Sequence, residues 1–153
     1  MNDTIKLKGT YAFTITGVDG KVRDTFSVDN IVTSVGKAQL ALLAYDSTAN
    51  PFIYLAVGTS STAVAIGQTT LGAEITDTGF ARASATGSRT TTTVTNDTMS
   101  ITYTWTASGV KAIEEVGVFS ASSGGVMLSR ALTGTKTTAN GETVQATYTL
   151  AFA

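Results

Sequence analysis

The stretch that decides the fold is residues 5–16, "IKLKGTYAFTIT", in which apolar and polar side chains alternate. The apolar positions of one parity are Ile5, Leu7, Tyr11, Phe13 and Ile15. Because successive side chains of a strand point to opposite faces, this period of two predicts a strand with one buried face. The next residues, "VDGK", contain Asp19-Gly20, a pair favoured in type I′ hairpin turns. Residues 22–28 then form the predicted return strand, with Val22, Phe26 and Val28 on one face.

Strand patterns also fill the second half of the chain. They cover residues 80–95, 100–106, 114–119, 126–132 and 143–152. Turn-forming stretches separate them, among them "SASSGG" and a polar loop, "TGTKTTANGE". In the last strand, the positions predicted to face inward are Val144, Ala146, Tyr148, Leu150 and Phe152. Short strands at near-regular spacing favour a mostly β protein, an antiparallel β-sandwich of about seven or eight strands with one short helix. We expect a single domain over residues 1–153.

The helix is predicted at residues 34–45, within "DNIVTSVGKAQLALLAYD". Thr33 or Ser34 is suited to cap its N-terminus. A recurrence of three to four residues suggests the face that packs on the sheet, made of Val35, Ala38, Leu42 and Tyr45. Pro51 cannot continue a helix, so the element ends before it.

A second informative stretch is "FIYLAVGTSSTAVAIGQTTLGAEI", residues 52–75. Residues 52–57 are apolar at every position, which indicates a strand covered on both faces, for instance between the helix and a second sheet. An uncharged loop follows Gly58 and includes Thr59, Ser60, Ser61 and Thr62. A phosphate-binding loop would need Gly-Lys-Ser or Gly-Lys-Thr, but no lysine follows Gly58 before Lys111. We therefore interpret residues 59–62 as a docking loop for another protein.

The composition argues against most classes of enzyme and against nucleic-acid binding. Charged residues make up 14% of the chain, against roughly 25% in ordinary soluble domains. The net charge of −1 offers no basic excess for a nucleic acid, and no apolar run is long enough for a membrane span. Histidine and cysteine are both absent, so the commonest general base, nucleophile and transition-metal ligands are missing. We expect no enzyme and no cofactor. A neutral surface suits contact with other proteins, although a Thr-rich β domain with no such role would have the same composition.

The carboxylates permit a structural and a catalytic interpretation. Glu114 and Glu115 are adjacent and would point to opposite faces of a strand. We favour structural ion pairs, with Arg82, Arg89 and Arg130 as candidate partners. A glycosidase that uses Glu74 with Glu114 or Glu115 is the catalytic alternative. Calcium ligands could come from Asp19, Asp24, Asp29 or Asp46, but their spacing matches no EF-hand.

Two aromatic pairs also permit two interpretations. Trp105 with Tyr103, and Tyr11 with Phe13, could form a platform on which a sugar stacks. Their parity within the predicted strands favours the core instead.

Four segments together resemble a known group of proteins. They are "NIVTSVGKAQLALLA", "PFIYLAVGTSSTAVAIGQTTLGAEI", "FARASATGSR" and "IEEVGVFSASSGGVMLSRAL". Their order and motifs resemble those of small structural proteins of tailed bacteriophages, over about residues 30–132. The chain has Thr59-Ser60-Ser61 where that group often has Thr-Gly-Thr, and it lacks the loop prolines.

The resemblance implies a virion component of the tail-fibre, baseplate or head-decoration type, made in the cytoplasm of the bacterial host. The implied partners are the major capsid or tail proteins and further copies of the chain in a homo-oligomer. The resemblance also implies ion pairs at Glu74, Arg82 and Glu115, to which the residue pattern adds Arg130. The alternative function is a carbohydrate-binding module that recognises a receptor.

Overall fold

The chain folds into a sandwich of two β-sheets, and the first hairpin lies at one edge of the first sheet. A computed structural model describes residues 4–153. The strands are β1 (Leu7–Thr16), β2 (Val22–Asp29), β3 (Ile31–Val32), β4 (Tyr54–Gly58), β5 (Ala83–Ser84), β6 (Thr86–Thr90), β7 (Thr98–Thr106), β8 (Lys111–Phe119), β9 (Met127–Thr138) and β10 (Thr143–Phe152), and helix α1 spans Ser34–Tyr45. The first sheet has the order β2-β1-β10-β7-β6 and the second β3-β9-β8-β4-β5. All pairings are antiparallel, which confirms the predicted β-sandwich.

The central strands of the first sheet follow the predicted alternation. The inward side chains Tyr11, Phe13 and Ile15 are at most 2% exposed, and β10 beside them is buried at every second position from Val144 to Leu150. At the ends of the strands the pattern overextends, because Val22 is 60% and Phe152 39% exposed. Alternation therefore predicts the face of a strand correctly, but not how far the second sheet covers it.

The first turn differs from the predicted type. Its loop has three residues, 18–20, closed by the N–H of Gly17, which donates to the Lys21 carbonyl at 2.8 Å. Gly20 has a φ of 77°, whereas Asp19 keeps a negative φ. A type I′ turn needs a positive φ at both central residues, so the prediction is wrong here. Instead the Asp19 carboxylate accepts the Lys21 N–H at 3.1 Å.

Two short crossings join the sheets at their sides. Asn30 links β2 of the first sheet to β3 of the second, and Ala85 links β5 of the second to β6 of the first. Strands β3 and β5 have two residues each, and with them the part of the chain that the structure describes has ten strands, above the seven or eight predicted. The chain therefore passes from one sheet to the other at each side of the sandwich.

The aromatic residues lie in the core as their parity predicts. Trp105 is 2% exposed, and its indole N–H donates to the Ala81 carbonyl at 2.9 Å. Tyr103 is half-buried and packs edge-on against Trp105, with ring centroids 5.1 Å apart. Tyr11 reaches across to the second sheet, where its hydroxyl lies 2.6 Å from Ser129 Oγ. Burial raises the pKa of Tyr148 to about 12, so this phenol stays neutral.

Helix α1 has the predicted bounds, and its cap is Thr33, one of the two predicted candidates, but its buried face is not the predicted one. The side chain of Tyr45 is 91% exposed and that of Leu42 42% exposed, while Leu40 and Leu43 pack against the core. Gly36 is the cause, because a Cβ there would lie 2.7 Å from Leu128 Cα. The glycine brings the helix against β9 and rotates its buried face. Within residues 4–153, no helix is long and apolar enough to cross a membrane.

Two loop predictions also need correction. Strand β9 continues to Thr138, through most of the predicted polar loop, because Gly134 adopts a φ of 64° in a bulge and the buried Thr138 hydroxyl donates to the Lys111 carbonyl. The predicted strand at 80–95 ends at Thr90. Beyond it the chain turns around Asp97, whose carboxylate accepts the N–H groups of three residues at 2.7 Å each: Thr92, Thr93 and Val94.

Thr33→Ala should lower the free energy of unfolding by about 1–3 kcal/mol, because it removes a helix cap and leaves a buried carbonyl without its donor. Thr33 Oγ1 accepts the Gly36 N–H at 2.9 Å and donates to the Met127 carbonyl at 2.6 Å. Urea denaturation measures the loss. The control is Ser34→Ala, at the exposed neighbouring position. Equal losses in the two variants would contradict this role for Thr33.

The Asp97 loop should make stability depend on pH. The backbone N–H groups of Val94 and Thr92 hold the pKa of Asp97 well below its ordinary value of 3.8. A depressed folded pKa contributes stability that is fully present above the unfolded pKa and is lost as the pH falls through the folded one. We expect Asp97→Asn to be less stable at neutral pH and to lose less stability on acidification below about pH 4. Urea denaturation at several pH values measures this, with Asp29→Asn as the control.

Candidate docking site

Residues 52–57, the apolar stretch before the docking loop, are covered on both faces, as predicted. One of the elements that cover them differs from the helix and second sheet suggested by the sequence. In β4, Leu55 and Val57 face the first sheet and belong to the main core. Ala56 faces the other way and packs with Leu71, Phe119 and Met127 in a second, smaller cluster. Leu71 belongs to the covering segment, defined here as residues 59–75. This segment, rather than the helix, therefore covers the outer face of the second sheet at β4.

A buried carboxylate holds both ends of the covering segment. Glu115 of β8 is 0% exposed and points away from the main core. Its Oε1 accepts the Ala73 N–H at 2.8 Å and the Ser60 N–H at 3.4 Å. Its Oε2 accepts the Gly72 N–H at 3.0 Å and the Arg130 Nε–H at 2.7 Å. One side chain therefore binds the segment at its beginning and near its end.

Arg130 of β9 binds the middle of the same segment. Its side chain is 1% exposed, and its Nη1 donates to the Thr62 carbonyl at 2.9 Å and to Gln68 Oε1 at 3.1 Å. Gln68 in turn accepts the Ala65 N–H and donates to the Ala63 carbonyl. The hydrogen bonds of the buried pair Glu115 and Arg130 thus order a segment that is otherwise irregular.

Two glycines make room for this arrangement. A Cβ at Gly58 would collide with the Glu115 carboxylate and would lie 2.7 Å from the Ala73 carbonyl oxygen. A Cβ at Gly72 would collide with the Ser60 hydroxyl. From the sequence, Gly58 marks a chain reversal. The structure gives a further reason for it, the close approach of a buried carboxylate.

A second ion pair fixes the end of the covering segment. Arg82 forms a fork with Glu74, at 2.9 Å from Nε to Oε1 and 2.6 Å from Nη2 to Oε2. Its Nη1 donates to the carbonyls of Ala121 and Gly124, and its guanidinium lies 3.6 Å from the Phe119 ring centroid. Arg82 thereby joins the covering segment to the turn between β8 and β9.

The structure brings all eight of the predicted site residues to the outer side of the second sheet. Glu74 pairs with Arg82, and Glu115 with Arg130, in both cases within one chain. Above them, Thr59, Ser61 and Thr62 are exposed and Ser60 is half-buried. Ser60, Thr62 and Gln68 line part of a shallow polar depression of about 410 Å³. The resulting surface is uncharged from residue 59 to residue 73.

Sequence reasoning missed two parts of this site. Gln68 and Gly72 contact the ion pair directly, yet the stretch "AIGQTTLG" carries no periodic signal. The available signal was a single amide side chain in a loop of small residues. Arg89, a third candidate partner for the glutamates, lies on β6 and forms no ion pair within the described residues.

The geometry gives the glycosidase alternative no support. Glu115 is enclosed by the covering segment, and Glu74 is held in a fork by Arg82. Glu114 contacts Thr135, on the opposite side of β8 from Glu115. No two of these carboxylates therefore face a common open cleft.

The four candidate calcium ligands lie apart. Asp24 pairs with Lys136, and Asp29 accepts the Thr10 hydroxyl. Asp19 and Asp46 each close a local turn. Within residues 4–153, no three acidic side chains come together as a metal site would require.

Comparisons of the chain with protein-family models, with curated proteins and with solved structures found no match.

Glu115→Gln should lower the free energy of unfolding by about 3–5 kcal/mol, because the Arg130 charge would stay buried without its counter-charge. The adjacent Glu114→Gln is the matched control, since Glu114 is only half-buried and contacts a single threonine hydroxyl. Urea denaturation measures the loss. Thermolysin should also cleave the covering segment of the Glu115 variant faster. Equal stability and equal cleavage in the two variants would contradict the role given to Glu115.

Proposed function

We propose that the chain is a non-enzymatic structural protein of a tailed-bacteriophage virion, located on the particle exterior. Its role would be either a capsid decoration or cement protein, or a tail-associated fibre or baseplate protein. One observation carries the proposal. The residues on which the phage resemblance rests, among them Gly58, Glu74, Arg82 and Glu115, are the ones that fix an uncharged segment on the outside of the sandwich.

The chemistry of that segment supports a protein partner. Hydroxyl and backbone groups cost little to remove from water when a partner replaces their hydrogen bonds, whereas charges cost much more. A capsid or a tail repeats the same surface many times, so weak contacts of each copy add up to firm attachment. Partners of this kind are the major capsid or tail proteins and further copies of the chain in a homo-oligomer.

The outer face of the first sheet provides a second surface rich in hydroxyl groups, on which Lys8 of β1 and Asp29 of β2 are charged. Its rows run across the strands, and one of them contains Thr10, Thr149, Ser100 and Ser88. In the next row the hydroxyls of Thr147 and Thr102 lie 2.9 Å apart. Such a face is compatible with close packing of neighbouring copies in a symmetric assembly.

The carbohydrate-binding alternative loses its main argument. It required an exposed aromatic platform, and Trp105 is in the core. We therefore retain the virion component as the proposal.

Immunogold labelling tests the proposal on purified particles of the phage that encodes the chain. Label spread over the head would support a decoration role, and label confined to the tail would support a fibre or baseplate role. Particles without label would overturn the proposal.

A charge in the docking loop should reduce incorporation into particles. We expect about tenfold less Ser61→Glu protein per particle than wild type, because a carboxylate would lose its water without a partner. Quantitative immunoblotting of purified particles measures this. Ser108→Glu, at an exposed position on another loop, is the control. Equal incorporation of both variants would show that residues 59–62 do not bind the particle.

A further inference from the structure

Strand β6 ends the first sheet at an open edge. Among residues 4–153, no strand pairs with its outer side in the sheet order β2-β1-β10-β7-β6, and all five of its residues, Thr86–Thr90, are exposed. Natural edge strands are usually protected by proline, by several charges or by a cover. Strand β6 has the sequence "TGSRT", with no proline and one charge. It therefore offers unpaired backbone groups to a further strand.

Beside this edge the sandwich opens into an apolar groove of about 420 Å³. Its lining includes Leu40, Leu43, Phe52, Met99 and Ile101. In the pairing of β6 with β7, Gly87 lies opposite Ile101, a core residue, so position 87 faces the interior. Gly87 contributes no side chain there, and a Cβ would meet only Ile101 Cγ2, at 3.7 Å. The position therefore leaves room for a side chain from outside.

One cationic side chain, that of Arg89, borders the same groove. Arg89 lies two residues after Gly87, on the same face of β6. The other three arginines are each held by a glutamate: Arg23 by Glu142, Arg82 by Glu74 and Arg130 by Glu115. Arg89 is exposed and has no carboxylate within ion-pair distance among residues 4–153. Its charge is available to a partner.

We propose that β6 and this groove bind an extended segment of another protein, which adds to the sheet as an antiparallel strand. The segment carries a carboxylate opposite Arg89 and, two residues later, a large apolar side chain opposite Gly87. Antiparallel addition matches every other pairing in the first sheet. Backbone hydrogen bonds supply the attachment, while the apolar groove and the arginine supply the selectivity. This surface is distinct from the docking loop, so the proposal holds or fails independently of the virion assignment.

The test uses two capped peptides, acetyl-Thr-Glu-Thr-Phe-Thr-amide and the same peptide with lysine in place of glutamate. Amide chemical shifts of the full chain report where each binds. We expect the glutamate peptide to shift the amides of β6 and β7, with a Kd of about 1 mM, and the lysine peptide to bind about tenfold more weakly. Equal binding of both peptides, shifts elsewhere or no shift at about 5 mM glutamate peptide would overturn the proposal.

Three variants make the test specific. Arg89→Glu should reverse the preference between the two peptides, and Gly87→Leu should abolish binding of both by filling the groove. Lys21→Glu, at the opposite side of the same sheet, carries the matched charge change and should bind like wild type. Sedimentation equilibrium addresses a competing occupant. Self-association that Gly87→Leu abolishes would make the occupant a second copy of the chain and would overturn the proposal.

Discussion

The outer side of the second sheet depends on the buried ion pair of Glu115 and Arg130. Both side chains are at most 1% exposed, and an isolated charge at that depth would be very costly. The cost is offset because the carboxylate also accepts N–H groups at 2.8 and 3.0 Å from Ala73 and Gly72, and the guanidinium also donates to Thr62 and Gln68. Apolar side chains of similar volume would pack there as well, but they could not specify where the backbone of an irregular segment lies. The pair therefore defines the shape of the covering segment more than it adds stability.

The parts of the structure that follow local rules could be predicted from the sequence. Alternation identified the inward faces of β1, β7 and β10, because burial under a second sheet acts on every other side chain. Thr33 and the following helix formers gave α1 its bounds. An ion pair between a glutamate of β8 and an arginine was predicted because Glu114 and Glu115 are adjacent and therefore point to opposite faces of the strand. These predictions needed only the neighbouring residues.

The remainder depends on contacts between segments far apart in the chain. The buried face of α1 is decided by the close approach of Gly36 to Leu128, which no local pattern encodes. The extension of β9 depends on the bulge at Gly134, and the turn of residues 91–97 on the Asp97 carboxylate. At the site, the choice of Arg130 over Arg89 as the partner of Glu115 depends on β8 pairing with β9 rather than with β6. Each case is decided by tertiary contact and not by propensity.

The pairing of β1 with β10 also affects how the chain folds during synthesis. Leu7 lies opposite Phe152 and Thr16 opposite Thr143, so β1 completes its hydrogen bonds only after residues 143–152 have been made. The first hairpin must therefore leave the ribosome with its apolar face uncovered and one backbone edge unpaired. Loop closure over such a distance is slow, and the exposed face invites association with other nascent chains. If the gene order or the translation rate brings many nascent copies together before residue 152 has emerged, their exposed apolar faces associate and fewer copies fold. Chaperone capacity would then limit the yield of folded protein.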